Sequence, residues 1–170
     1  GELTFEKYLD KGFYFLMTTS VYESKYVASN GIEYNSAFNG NYTFNSLAGY
    51  EFRFKEGKRY KNSLTVDAKF TYNGGKRFTP VLEAESLLAG VEIRDWTQTN
   101  TAHYDDFMKI NLRVGFKMVG KKVTQEWALD ATNITNRRNI FVEEFNPQTG
   151  NYDKTYQTGF LPIGQYRIYF

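Results

Sequence analysis

The sequence contains no cysteine and only one histidine, His103. The absence of cysteine excludes disulfides, thiolate metal sites and a cysteine nucleophile. With one histidine and no nucleophile motif, the sequence offers no Ser–His–Asp arrangement, and it has no glycine-rich loop of the phosphate-binding kind. We therefore predict a protein that is not an enzyme and that has no cofactor and no metal site.

An excess of charge of one sign and long apolar runs are also missing. The net charge is only +2, from 21 basic and 19 acidic residues, so no electrostatic footprint for nucleic acid is present. No apolar run approaches the roughly 18 residues that a spanning helix needs. Aromatic residues nevertheless make up 18% of a chain whose mean hydropathy is −0.56. This combination is typical of many amphipathic strands, and transmembrane strands give only such a weak, alternating signal.

Alternation of apolar and polar residues predicts strands that keep the same two faces along the chain. Within residues 42–54 and 64–72, and again within 108–118 and 127–131, rings and aliphatic side chains occupy one parity. In residues 12–26 the faces are less distinct, and we favour the parity of Phe13 as the outward one. The charged residues that occupy the other parity, and that we predict to face a lumen, are Glu51, Arg53, Asp67, Lys69, Lys109, Arg113, Asp130 and Arg167.

The connections between these strands alternate between long and short. Residues 55–61, with Gly57 at the turn, and residues 119–123 form short connections, whereas three long polar segments join the other strands. The second long segment predicts a short helix around residues 82–88. The third predicts a hairpin of residues 140–145 with 152–157 across Asn146, Pro147 and Gly150. Short turns at one end and long loops at the other are typical of bacterial outer-membrane barrels.

The residue types on the two faces of the predicted sheet indicate what surrounds each face. Burying so many charges in a small soluble barrel would cost several kcal/mol each unless all were paired. The opposite face, in water, would far exceed the apolar patch of a few hundred Å2 that soluble monomers tolerate. We predict an all-β fold, an antiparallel up-and-down meander of about six transmembrane strands in an incomplete segment of a large outer-membrane barrel. The alternative is a soluble β-sandwich or small-barrel ligand-binding module, in which the apolar faces meet each other.

Several motifs support a resemblance to a known family. They are GELTFEKYLDKGFYFLMTTSVYESKY, NSAFNGNY, LDATNITNRRNIF with Asn133, Asn136 and Asn139, and the closing GFLPIGQYRIYF. Together they resemble the C-terminal barrel portion of TonB-dependent outer-membrane receptors, of the Bacteroidetes type with a carboxypeptidase-regulatory-like domain. Asn111 stands where that family often has an aspartate two residues before an arginine, so an ion pair of residue 111 with Arg113 is in doubt.

The resemblance implies a barrel of about 22 strands around a plug, in the bacterial outer membrane. It implies active import of a nutrient, whether siderophore, vitamin, glycan or peptide, energised by the TonB complex. The implied partners are outer-membrane lipid, the remainder of the barrel and the plug. The barrel-assembly machinery would recognise the C-terminal strand through Tyr166, Ile168 and Phe170. Residues 1–170 hold no plug and no signal peptide, so we expect a fragment whose first and last strands lack partners.

Five side chains in the predicted outer loops are candidates for ligand contact: Arg94, Trp96, His103, Arg137 and Arg138. The ring of Trp96 could stack on a sugar or on an aromatic siderophore. It could equally be an anchor that packs against its own loop. His103 beside two aspartates lacks the three or four converging ligands of a metal site, which favours a solvated loop residue. A third interpretation is an outer-membrane barrel enzyme. It would need a cluster of a serine, a histidine and an acid, and a chain with a single histidine gives little support to such a cluster.

Overall fold

A computed structural model describes residues 1–56 and 60–170, with the side chains of 55–61 left out. The predicted turn at Gly57 lies outside the described residues. The chain forms the α-helix α1 (Glu83–Ala89), a 3-10 helix (Trp96–Gln98) and thirteen strands among the described residues. In chain order the strands are β1 (Glu2–Asp10), β2 (Phe13–Val21), β3 (Lys25–Val27), β4 (Glu33–Asn35), β5 (Tyr42–Glu56), β6 (Tyr60–Asn73), β7 (Arg77–Phe78), β8 (Ala102–His103), β9 (Phe107–Val119), β10 (Thr124–Thr132), β11 (Ile140–Asn146), β12 (Asn151–Tyr156) and β13 (Leu161–Tyr169). Neither helix of the described chain has the length and apolar character needed to cross a bilayer.

One antiparallel sheet dominates the molecule, with the strand order β1-β2-β5-β6-β9-β10-β13. Each strand pairs with its predecessor and successor in this sheet, which is an up-and-down meander, so the predicted all-β, antiparallel architecture is confirmed. The predicted number of about six strands was too low. Residues 2–10 form the seventh strand, which pairs with β2 from Glu2 opposite Ser20 to Lys7 opposite Phe15 before a register shift.

The sheet has two free edges in the described part of the chain. β1 pairs only with β2, and β13 pairs only with β10. The expectation that the last strand lacks one partner is therefore confirmed. The expectation for the strand starting near residue 12 was wrong, because β2 has β1 on its outer side. The described strands do not close on each other.

The register brings the predicted parities of the six predicted strands together on two common faces, and β1 continues them. Phe15 lies opposite Ala48, which lies opposite Ala68, and Trp127 lies opposite both Phe116 and Tyr166. The face that carries these side chains is called the apolar face. Asp67 lies opposite Arg113, which lies opposite Asp130, and their side of the sheet is called the polar face. The outward parity favoured for β2 shares the apolar face.

Neither face is covered by a second sheet in the part of the chain that the structure describes. All the extensive contacts between strands are between hydrogen-bonded neighbours. Only three hydrophobic side chains are buried among the described residues: Tyr104, Ala128 and Phe145. Phe52, Leu129 and Tyr166 on the apolar face are 47%, 55% and 52% exposed. The main sheet is therefore a single layer, and in the described part of the chain its apolar side chains pack against neighbours in the same sheet, such as Trp127 against Tyr166, and not against a second layer.

All three long loops leave the same end of the sheet, as predicted. Loop L1 (residues 22–41) contains the β3–β4 hairpin, loop L2 (residues 74–106) contains β7, α1 and β8, and loop L3 (residues 133–160) contains the β11–β12 hairpin. The predicted helix and the predicted hairpin around Gly150 are confirmed. The β3–β4 and β7–β8 pairings were not predicted. At the opposite end β1 is joined to β2 and β9 to β10 by short turns.

Candidate functional site

The three loops form a connected platform at their end of the sheet. Arg77 joins L2 to L1, because its guanidinium donates to the carbonyl of Asn39 at 2.8 Å and to Oδ1 of Asn41 at 2.9 Å. Asn100 strengthens the same contact by donating its Nδ2 to the carbonyl of Asn35 at 2.7 Å. L1 therefore has a defined position on L2, set by side chains that bond to backbone.

Glycines allow L1 and L2 to approach each other at backbone distance. A Cβ on Gly74 would overlap the carbonyl oxygen of Gly40, and one on Gly75 would overlap the carbonyl oxygen of Tyr104. A Cβ on Gly40 would lie 2.7 Å from the carbonyl oxygen of Gly74. A side chain at Gly40 or Gly74 would force L1 and L2 apart, and one at Gly75 would separate two segments within L2. The contact between the backbones of Gly40 in L1 and Gly74 in L2 was not predicted from the sequence.

Asp106 ties the base of L2 to the adjacent strands. Its Oδ2 accepts from the hydroxyls of Tyr42 at 2.6 Å and Tyr72 at 2.7 Å, and its Oδ1 accepts from the backbone amide of Gly75 at 3.2 Å. The hydrogen bond from Tyr42, followed by that from Tyr72, lowers the pKa of Asp106 below its ordinary value. The ionised carboxylate is thus the form that this arrangement stabilises.

The asparagines after β10 hold the base of L3. Asn133 is fully buried and has a positive φ of 50°. Its Oδ1 accepts from the amide of Arg137 at 3.2 Å, and its Nδ2 donates to the carbonyls of Arg137 at 3.0 Å and Thr158 at 3.3 Å. Asn139 binds both backbone groups of Met108, at 3.1 and 2.9 Å, and so continues the pairing of β9.

The L3 hairpin rests on the α1 segment of L2. Tyr152 donates its hydroxyl to Glu83 at 2.7 Å, and burial, followed by this bond, raises the pKa of Tyr152 to about 12. Glu92 accepts from the amide of Phe145 at 2.8 Å with one oxygen and from Arg94 at 2.7 Å with the other. All three loops are thus connected through L2.

The platform forms an open cavity of about 450 Å3, which we call the loop cavity. Residues from L1, L2 and L3 line it, together with the loop ends of β5, β6 and β9 on the polar face. The lining side chains include Tyr22, Phe38, Lys76, Asp105, Phe107, Phe141 and Gln157. Its volume lies within the range of small-molecule sites. Because the segments are distant in sequence, only their predicted meeting at one end of the sheet pointed to such a site.

The polar face below the loops carries a network of charges around Arg113. Its guanidinium contacts Asp130 at 3.0 Å and Glu126 at 3.3 Å, both on the neighbouring strand β10. Tyr14 donates its hydroxyl to Asp67, the residue opposite Arg113 on β6. Asn111, the departure from the family pattern, accepts the amide of Asn133 at 2.9 Å instead of forming an ion pair. A second cavity of about 440 Å3 lies against this network.

The predicted polar-face residues lie where the parity put them. Glu51 contacts Arg53 at 2.7 Å, and Arg167 lies opposite Glu126. Lys69 and Lys109 share the face, opposite Asn111 and Thr71. On the apolar face the rings of Tyr166 and Trp127 are tilted to each other with their centroids 5.3 Å apart. Ile168 is 42% exposed, and Phe170, just beyond β13, is fully exposed. Whether one face meets a lumen stays a prediction.

The five loop candidates do not converge on one site. Arg94 binds Glu92, Trp96 is 69% exposed at the start of the 3-10 helix, and Arg138 lies 5.7 Å from the ring of Tyr156. Arg137 donates to the carbonyl of Asp106 at 3.0 Å. His103 borders a smaller cavity of about 300 Å3 with Arg77 and Asp106. None of the five lines the loop cavity, whose aromatic and charged residues the sequence did not single out.

The fold and these contacts define an all-β protein with a large antiparallel sheet and a loop platform at one end. Within residues 1–56 and 60–170, no three His, Asp or Glu side chains are placed to hold a metal ion together. No family model matches the chain, and the comparisons with curated proteins and with solved structures found no match either.

Proposed function

We propose that this chain is a barrel-wall and outer-loop segment of a TonB-dependent receptor, which imports a nutrient across the bacterial outer membrane. The observation that carries the proposal is the single-layer sheet with one uncovered aromatic face and one charged, ion-paired face. In water the aromatic face would be an exposed patch far larger than soluble monomers tolerate. In lipid the same side chains would be solvated by hydrocarbon, and the opposite face would line a hydrated path.

Two further features support the same proposal. All long loops leave one end of the sheet and short turns join strands at the other, which is the arrangement of outer-membrane barrels. The free edges of β1 and β13 expose unpaired backbone groups, and a neighbouring strand on each side would satisfy them. The remainder of a larger barrel supplies such neighbours. A soluble β-sandwich would instead need a second sheet against the apolar face, and none of the described strands packs there.

The two tryptophans of the chain allow a direct test of the apolar face. Trp127 lies on the apolar face of β10, whereas Trp96 lies in L2. The variant W96F keeps only Trp127, and the matched variant W127F keeps only Trp96. Each is reconstituted into phosphatidylcholine bilayers whose acyl chains carry bromine, which quenches nearby tryptophan fluorescence.

We expect strong quenching of Trp127 and little quenching of Trp96. Equal quenching of both, or none of Trp127, would contradict a lipid-facing apolar surface. A chain that is folded and monomeric in buffer without detergent would contradict it independently, and would favour the soluble sandwich module.

A further inference from the structure

The loop cavity contains two exposed side chains of opposite charge, Lys76 and Asp105. Their segments lie side by side, because the amide of Tyr104 donates to the carbonyl of Lys76 at 3.0 Å. Within the part of the chain whose side chains are described, neither residue forms a salt bridge or a side-chain hydrogen bond. The cavity therefore offers one ammonium and one carboxylate that intramolecular ion pairs do not occupy.

Lys154 of L3 lies close enough to Asp105 for the two charges to interact. The pKa of Lys154 is raised mainly by its hydrogen bond to Glu143, and the field of Asp105 adds to this. Lys154 already binds Glu143 at 3.0 Å, so its ammonium is engaged elsewhere. The carboxylate of Asp105 remains available to a second cation in the cavity.

Apolar rings complete the lining. Phe38 of L1 is 77% exposed and Phe141 of L3 is 59% exposed, although both border the cavity. Phe107 of β9 lies among the lining residues as well. A loop gains nothing in water from exposing two phenyl rings, and contact of each ring with an apolar group would be favourable. The rings are placed to contact an apolar part of a bound molecule.

We propose that the loop cavity binds a short peptide with free termini and an apolar side chain. The peptide ammonium would pair with Asp105, its carboxylate with Lys76, and its side chain would lie against Phe38 and Phe141. Both termini of a peptide are charged at neutral pH, so the ligand matches the two charges of the cavity. The proposal rests on the proposed function in one respect, since it gives the imported nutrient a chemical class.

The test measures equilibrium binding of the dipeptide Phe-Leu to the purified protein in detergent, beside N-acetyl-Phe-Leu and Phe-Leu amide. Blocking either terminus is expected to weaken binding about tenfold, the loss of one charge-assisted contact. D105N should weaken Phe-Leu by a similar factor and leave N-acetyl-Phe-Leu unchanged. K76Q should weaken Phe-Leu and leave Phe-Leu amide unchanged. Comparing each variant with each blocked peptide identifies which of the two side chains, Asp105 or Lys76, contacts which terminus of the peptide.

The control variant is K122Q, whose lysine lies in the short turn at the other end of the sheet. It should bind Phe-Leu as the unaltered protein does. F141L keeps an apolar side chain but removes the ring, and should weaken all three peptides alike. Equal binding of all three peptides, or no effect of K76Q and D105N, would overturn the proposal.

The outcome separates this proposal from the proposed function. Absent or terminus-independent binding together with quenching of Trp127 in brominated bilayers would overturn the peptide site alone. Terminus-selective binding without quenching of Trp127 would overturn the membrane proposal and keep the peptide site.

Discussion

Replacing Asn133 with alanine should loosen the whole base of L3. The substitution removes the three hydrogen bonds of its side chain to the backbone of Arg137 and Thr158, and a fourth from Thr135 at 3.3 Å. Neutral hydrogen bonds contribute about 1 kcal/mol each. The left-handed backbone at φ 50° costs alanine about 1 kcal/mol more than asparagine. The sum is about 3–5 kcal/mol of local stability.

Amide hydrogen exchange read by mass spectrometry measures this loss in peptides from residues 133–160. A decrease of that size corresponds to roughly 100-fold or more faster exchange of the amides that open with the loop. N136A is the matched comparison, because Asn136 also has φ 50° but accepts a single bond, from Phe160 at 3.0 Å. It should accelerate exchange by far less. Unchanged exchange in N133A would refute the view that Asn133 holds the loop.

Three further results are expected. G74A should separate L1 from L2, because the added Cβ would overlap the carbonyl oxygen of Gly40. Amide hydrogen exchange in both loops should therefore become faster. Unchanged exchange in L1 would contradict the contact between the two loops. The hydrogen bonds from Tyr42 and Tyr72 lower the pKa of Asp106 in the folded chain. The ionised Asp106 therefore contributes its full stabilisation above pH 3.8, the ordinary pKa of the group, and this stabilisation is lost as the pH falls through the lower pKa of the folded state. A pH titration of L2 exchange should show this loss in the unaltered chain and not in D106N. Replacing Arg113 with methionine should leave Asp130 and Glu126 without their shared cation and destabilise the folded chain by about 1–2 kcal/mol, because the ion pairs are partly exposed. R167M should have little effect in the same denaturant titration.

Much of the main sheet could be predicted because strand alternation is a local property. Within residues 42–54 of β5 and 64–72 of β6 every second residue except Ser46 is apolar, so parity alone assigned the faces, and the register of the structure agrees. β1 was missed because its alternation is interrupted by Lys7 and a register shift before Asp10. The β3–β4 hairpin was missed because three-residue strands in a segment rich in turn residues carry too little periodicity to be recognised.

The candidate site was predictable only in outline. The alternation of loop lengths placed the long loops together, but the five residues chosen for their chemistry bind other groups or lie apart. The sequence pattern does not distinguish Lys76 and places Asp105 only beside His103, since their shared cavity depends on backbone pairing between segments 28 residues apart. Similarly, nothing local indicates that Arg113 binds two acids of β10, since that depends on the register between strands.

The amino-acid sequence by itself determined the class of fold, the two faces of each strand and the end of the sheet from which the long loops leave, because each follows from side-chain period and turn chemistry over a few residues. The tertiary structure decided the seventh strand, the single uncovered layer and the cavity between the loops. These depend on which backbone groups meet across distances that no local pattern encodes, through contacts such as that of Gly40 with Gly74 and that of Asn139 with Met108.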